Sequence, residues 1–135
     1  MLFRSFSRPI IITEGQIDSM FLDNSIATTG VTKSKSFLGN LVTKKNSLIL
    51  FDNDKAGKRE SMTLLNQGYK VFLWSKLMVD LKKKYSSDAR KLAEVKDIND
   101  LYVFMLSKNS SVDFTSFNQM ILQYFSDSVL DLIWV

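Results

Sequence analysis

Cysteine and histidine are both absent from this 135-residue chain, and these two absences narrow its chemistry most. Without cysteine there is neither a disulfide nor a thiolate metal site; without histidine the usual zinc ligand and the usual acid/base at neutral pH are gone. Any metal site must therefore be built from oxygen. Carboxylate oxygens favour hard ions, so Mg²⁺ or Mn²⁺ is the expected ion and Ca²⁺ a poorer alternative. Long apolar runs are missing as well. None approaches the ~20 residues that a membrane-spanning helix needs, and the N-terminus, with Arg4 and Arg8 around Phe3 and Phe6, lacks a signal-peptide core. No membrane partner is expected, and the cytoplasm is the expected compartment. There are no repeats and no low-complexity segments.

What is present suits a folded protein: 45% of residues are hydrophobic and 12% aromatic. The length fits one domain with a helical tail. A net charge of +4 is compatible with a polyanionic partner without demonstrating one. Along the chain, a short apolar run, a polar turn and a helix-like stretch recur, which is the rhythm of βαβ units. Ile10 to Ile12 and Ser47 to Phe51 are apolar and β-branched enough for strands inside a parallel sheet. Ile26 to Thr29, before Gly30, and Lys70 to Trp74, after Gly68, complete a set of four. Between them, Gln16 to Asp23 is predicted as a helix with Ile17, Met20 and Phe21 on its inner face, and Lys55 to Gln67 as another with Met62 and Leu65 inward. Gly68 stands at the expected helix stop. Lys82 to Glu94 is charged, without a large apolar stripe, and reads as an exposed helix or insertion. Helical spacing returns with Ile98, Leu101, Tyr102 and Met105, then with Phe114, Phe117, Ile121 and Tyr124, separated at Asn109-Ser110-Ser111. The apolar stretch from Val129 to Val135 is expected to dock on the domain or on a partner.

The candidate chemistry lies after the two most apolar strands. Thr13-Glu14-Gly15 follows the first and Asp52-Asn53-Asp54 the second; in open α/β sheets, ligands gather beyond the carboxyl ends of strands. Asp52 and Asp54 alternate along an extended segment and so present their carboxylates to one side. Adjacent carboxylates repel, and a divalent cation reverses that by supplying positive charge. A D-x-D pair alone is common in turns and helix caps. The combination is more specific: one acid after one strand, two after another, and a further acid in Lys96-Asp97-Ile98-Asn99-Asp100. Gly15 and Gly57 permit tight turns or close phosphate approach, and Lys55, Lys58 and Lys96 flank the acids as candidate phosphate contacts.

These residues carry a family resemblance. Ile12-Thr13-Glu14-Gly15-Gln16-Ile17-Asp18-Ser19 resembles the first motif of the Toprim domain of DNA primases, Phe51-Asp52-Asn53-Asp54-Lys55-Ala56-Gly57 the second, and Lys96-Asp97-Ile98-Asn99-Asp100 the primase form of the third. The wording from Ile17 to Asn24 and at Gly68-Tyr69-Lys70-Val71 is similar to the catalytic half of primases from T-even-like phages. The resemblance implies a Toprim-like α/β fold, a four-stranded mainly parallel sheet flanked by helices, over residues 1–107, with a C-terminal helical tail over 108–135. It implies Glu14, Asp52 and Asp54 as catalytic acids, with Asp18 and Asp97 as further metal ligands for Mg²⁺ or Mn²⁺. The implied activity is metal-dependent nucleotidyl transfer, the synthesis of RNA primers from ribonucleoside triphosphates on single-stranded DNA, in the host cytoplasm if the chain is phage-encoded. It further implies a replicative helicase, or a separate N-terminal template-binding half of the primase, as partner. The same motifs also suit a Toprim nuclease, and the apolar tail suits a non-catalytic replication-protein interaction domain. The basic residues Lys33 and Lys35 are expected near nucleic-acid backbone. None of Tyr69, Tyr85, Tyr102 or Tyr124 is marked as a strand-cleaving nucleophile.

Overall fold

The computed structural model describes residues 8–28 and 44–135. The expectations resting on Arg4, Thr29, Gly30, Lys33 and Lys35 lie outside the described residues. Four strands, β1 (Ile10–Thr13), β2 (Ser25–Ala27), β3 (Ser47–Ile49) and β4 (Lys70–Phe72), run parallel in the spatial order β2-β1-β3-β4. A fifth, β5 (Phe125–Ser126), pairs antiparallel with β4 at the far edge. The sheet thus has five strands rather than the four read from sequence. β5 has no apolar run of its own; it pairs because the preceding helix returns the chain beside β4, where the Leu73 N–H donates to the Tyr124 carbonyl at 2.7 Å.

The helices are α1 (Gln16–Met20), α2 (Lys55–Asn66), α3 (Trp74–Lys84), α4 (Ala89–Leu92), α5 (Ile98–Lys108) and α6 (Phe114–Leu122). Strand alternation divides the core between the two faces of the sheet. Ile11, Leu48, Leu50, Phe72 and Trp74 pack on one side with Leu77, Leu81, Leu92, Leu101, Phe117 and Ile121 of α3 to α6. Ile10, Ile12, Ile49, Phe51, Val71 and Leu73 pack on the other with Leu65 of α2, and with Val135, Leu132 and Trp134 from the 3₁₀ turn over Val129–Trp134. Burial on both faces is why these strands are continuously apolar. After α2, Gly68 at φ 94° ends the helix; its N–H bonds the Leu65 carbonyl while that of Tyr69 bonds Leu64, a Schellman closure that needs a residue tolerant of positive φ.

Several sequence expectations are corrected. Trp74 is not in the fourth strand but opens α3, where its indole packs edge-on to Phe72 and its Nε1 donates to the Phe51 carbonyl at 2.7 Å. α1 stops at Met20 rather than Asp23, and of the residues expected on its inner face only Phe21 meets the core: Ile17 is 61% and Met20 67% exposed, whereas Asp18 is buried. A helix of little more than one turn needs only one inward residue, and Phe21 and Leu22 just beyond it make the apolar contacts. In α2 the inward residues are Gly57, Ser61 and Leu65, four apart, which leaves Met62 at the surface. Phe114, in the first turn of α6, is likewise exposed. The charged segment from Lys82 to Glu94 is not one exposed helix. It comprises the end of α3, a 3₁₀ turn and α4, held down by the fully buried Leu92 and by Tyr85 stacked edge-on to Phe104. Among the described residues, no helix is long and apolar enough to cross a membrane.

Candidate functional site

The strand order reverses between β1, which connects outward to β2, and β3, which leads away to β4. The loops leaving two such neighbouring strands diverge to opposite sides and open a crevice at the carboxyl edge. Glu14 emerges from β1 and Asp52 from the end of β3, and they meet there: the Asp52 N–H donates to Glu14 Oε1 at 3.0 Å. The loop after β3 that carries Asp52 forms one wall, and the first turn of α2 seats against its backbone. The N-cap of α2 is Asp54, whose carboxylate accepts from the Gly57 N–H at 2.7 Å. A Cβ on Gly57 would lie 2.1 Å from the Asp52 carbonyl oxygen, so only glycine lets this turn seat on the acid-bearing backbone.

The N-terminus of α5 supplies the other wall. Asp97 caps it by accepting from the Asp100 N–H at 2.8 Å, and Asp100 reaches back to the Lys96 N–H at 3.0 Å. The Asn99 N–H of the same turn donates to Asp18 Oδ1 at 3.2 Å. Asn53 joins the two walls: its N–H donates to the Lys96 carbonyl at 2.6 Å and its Nδ2 to the Val95 carbonyl at 2.8 Å. Gly15, Ile17, Asp18, Asp52, Asp97 and Asn99 line the resulting cleft of about 500 Å³. A second cavity of about 390 Å³, between α6 and the amino ends of β1 and β3, is mainly apolar; its one acid, Asp23, pairs with Arg8.

The electrostatics record crowding of like charge. Burial, then the carboxylates of Glu14, Asp18, Asp54 and Asp97, push the Asp52 carboxyl up to about 7. Burial, with Asp97 and Asp100, raises Asp18 to about 6 against the opposing hydrogen bond from Asn99. The donor chemistry, carboxylate and amide oxygen throughout, fits a hard divalent cation. Among the described residues, however, no group of three acids is arranged to hold a metal ion. The oxygens explain this: Glu14 faces the Asp52 N–H, while Asp54 and Asp97 face the donors of their own helices.

The sequence-predicted residues therefore fall into two groups. Asp18, Asp52, Asp97 and Gly15 line the cleft, whereas Glu14 accepts from the Asp52 N–H beside it and Asp54 caps α2. The lysines do not converge on it in the same way. Lys55 and Lys96 are exposed at helix starts, and the Lys58 ammonium donates to the Val135 main-chain oxygen at 2.7 Å and to Ser75 Oγ at 3.2 Å, with burial lowering its pKa. Sequence reasoning missed Asn53, Asn99 and Asp100. Alternation sets Asn53 apart from Asp52 and Asp54, but nothing in the sequence marks its partners, the carbonyls of Val95 and Lys96. No protein-family model matches the chain, and no curated protein matches it significantly.

Proposed function

We propose that this chain is a Toprim-like domain performing metal-dependent nucleotidyl transfer, the synthesis of RNA primers on single-stranded DNA, as the catalytic portion of a phage-type DNA primase. The observation that carries the reading is the meeting of three acid-bearing segments, from Glu14, Asp52 and Asp97, at the point where the strand order reverses. Glu14, Asp52 and Asp54 are the proposed catalytic acids, with Asp18 and Asp97 completing the set that would hold Mg²⁺ or Mn²⁺. The ion, when bound, would stabilise negative charge on the attacking 3′-oxygen and on the departing pyrophosphate.

The chain's own residues do the rest. The crowded carboxylates hold a region of negative potential that a divalent cation would relieve without protonating Asp52, so a cation would be favoured there over a polyanion alone. Asp54 and Asp97, whose carboxylates accept the capping N–H groups of Gly57 and Asp100, would supply further oxygens to the ion, and Glu14 would serve as ligand or as proton acceptor. Lys55 and Lys96, exposed beside the acids, contact phosphates of the ribonucleoside triphosphate or template. Template register is left to a partner, either a template-binding primase half or a replicative helicase.

Calorimetry with Mn²⁺ on the wild type and on Asp52→Ala/Asp54→Ala tests the site. Saturable binding lost in the double variant supports it, and equal weak binding by both overturns it. Supplying a template-binding half, labelled ribonucleotides and single-stranded DNA then tests the reaction. Primers that depend on Asp52 support polymerisation; Asp52-dependent cleavage of the DNA assigns the same acids to a nuclease instead.

A further inference from the structure

We infer that Asn53 is a positioning residue, a two-pronged clip that holds the α5 wall of the cleft against the β3 wall and so sets where Asp97 and Asn99 stand relative to Asp52 and Asp18. Its consequence for metal binding rests on the proposed metal site; its geometry does not.

Asp52 and Asp97 come from segments far apart in sequence, yet line one cleft. Asn53 bonds two consecutive carbonyls, Lys96 through its main chain at 2.6 Å and Val95 through its side chain at 2.8 Å. Those carbonyls belong to the two residues directly before Asp97, the N-cap of α5. Paired bonds to adjacent peptide groups fix direction as well as distance, as one bond does not. Val95 is buried in the core beneath, so the clipped segment is held from both sides. Down the same turn, the Asn99 N–H reaches Asp18 Oδ1 at 3.2 Å. The chain of contacts runs from the Asp52 loop through Asn53 to Val95-Lys96, along the first turn of α5, and across to Asp18. Asparagine suits the position because the clip needs a short neutral donor: a carboxylate there would face the Val95 carbonyl and add charge to an acidic cleft.

The test uses the full chain with Asn53→Ala, and Asn53→Leu as a near-isostere without a donor. Amide hydrogen exchange is the first readout. The Asn99 amide is expected to exchange at least about tenfold faster in both variants, with the β1 and β4 core amides unchanged. Unchanged exchange at Asn99 overturns the inference, as does uniform acceleration across the core, which would make Asn53 merely structural. The second readout is a double-mutant cycle in Mn²⁺ affinity with Asp97→Asn, a substitution that removes the charge but keeps a good helix cap. Asn53→Ala is expected to weaken Mn²⁺ binding about tenfold in the wild type and by less than about twofold in the Asp97→Asn background. Equal losses in both backgrounds overturn the positioning role. If the wild type binds no Mn²⁺, the metal reading fails by itself and the exchange experiment still decides the clip.

Discussion

Asp52 is the residue at which the fold and the site are in conflict. Its folded pKa of about 7 lies above the ordinary 3.8, chiefly through burial and then through its acidic neighbours. A carboxyl with a raised folded pKa favours folding while it is protonated; that contribution is complete below about pH 4 and is lost as pH rises through 7. In the absence of divalent cations, the thermal midpoint is therefore expected to fall between pH 5 and pH 8. Asp52→Asn should flatten this fall and raise the midpoint at pH 8 by roughly 2–4 °C, solvent screening limiting the gain. A wild-type midpoint that rises over the same range would contradict the assignment. Gly57 is constrained by space rather than by charge. With a Cβ only 2.1 Å from the Asp52 carbonyl oxygen, Gly57→Ala should cost about 3 kcal/mol in urea unfolding.

At the scale of elements, Trp74 ties helix α3 to the strand that delivers the acids. Its indole N–H satisfies the buried Phe51 carbonyl, the last peptide group before Asp52. Trp74→Phe keeps most of the apolar surface and leaves that carbonyl unpaired, so a loss of about 2 kcal/mol is expected in denaturant unfolding. A loss below about 0.5 kcal/mol would show that water replaces the bond. The capping pattern is a second feature at this scale. Asp54, Asp97 and Asp113 all cap helices through the backbone N–H three residues on, but only the first two lie beside other acids in the cleft region. The same local motif thus serves stability alone at α6 and brings charge to the site at α2 and α5.

For the molecule as a whole, the two faces of the sheet converge on one edge. Helices α3 to α6 fill one face, α2 and the C-terminal 3₁₀ turn the other, and the acids gather where loops from both meet. An ion bound there would link segments from Glu14 to Asp97 and stabilise the entire fold, because a ligand specific to the native state shifts the folding equilibrium. Mn²⁺ at about a hundred times its dissociation constant should raise the thermal midpoint by roughly 5–8 °C at pH 7.5, an effect absent from Asp52→Ala/Asp54→Ala. An equal rise in both proteins would place the ion elsewhere.

The sequence by itself determined the parallel α/β arrangement, the glycine stop after α2 and the positions of the acids after strands. Each of these follows from local chemistry: unbroken apolar, β-branched runs demand burial on both faces, Gly68 tolerates positive φ, and loops follow strands. The tertiary structure alone decided the fifth strand, the helical role of Trp74 and the inward face of α1. β5 is too short to show a period and exists only because α6 lays it against β4. Ile17 and Met20 follow helical spacing, but one turn of helix cannot choose its face, and Asp18 turns inward because the Asn99 N–H waits there. The acids were legible because charge after an apolar strand is conspicuous. Asn53 was not, since its partners are the carbonyls of Val95 and Lys96, and a backbone oxygen has no signature in a sequence until the fold brings it near.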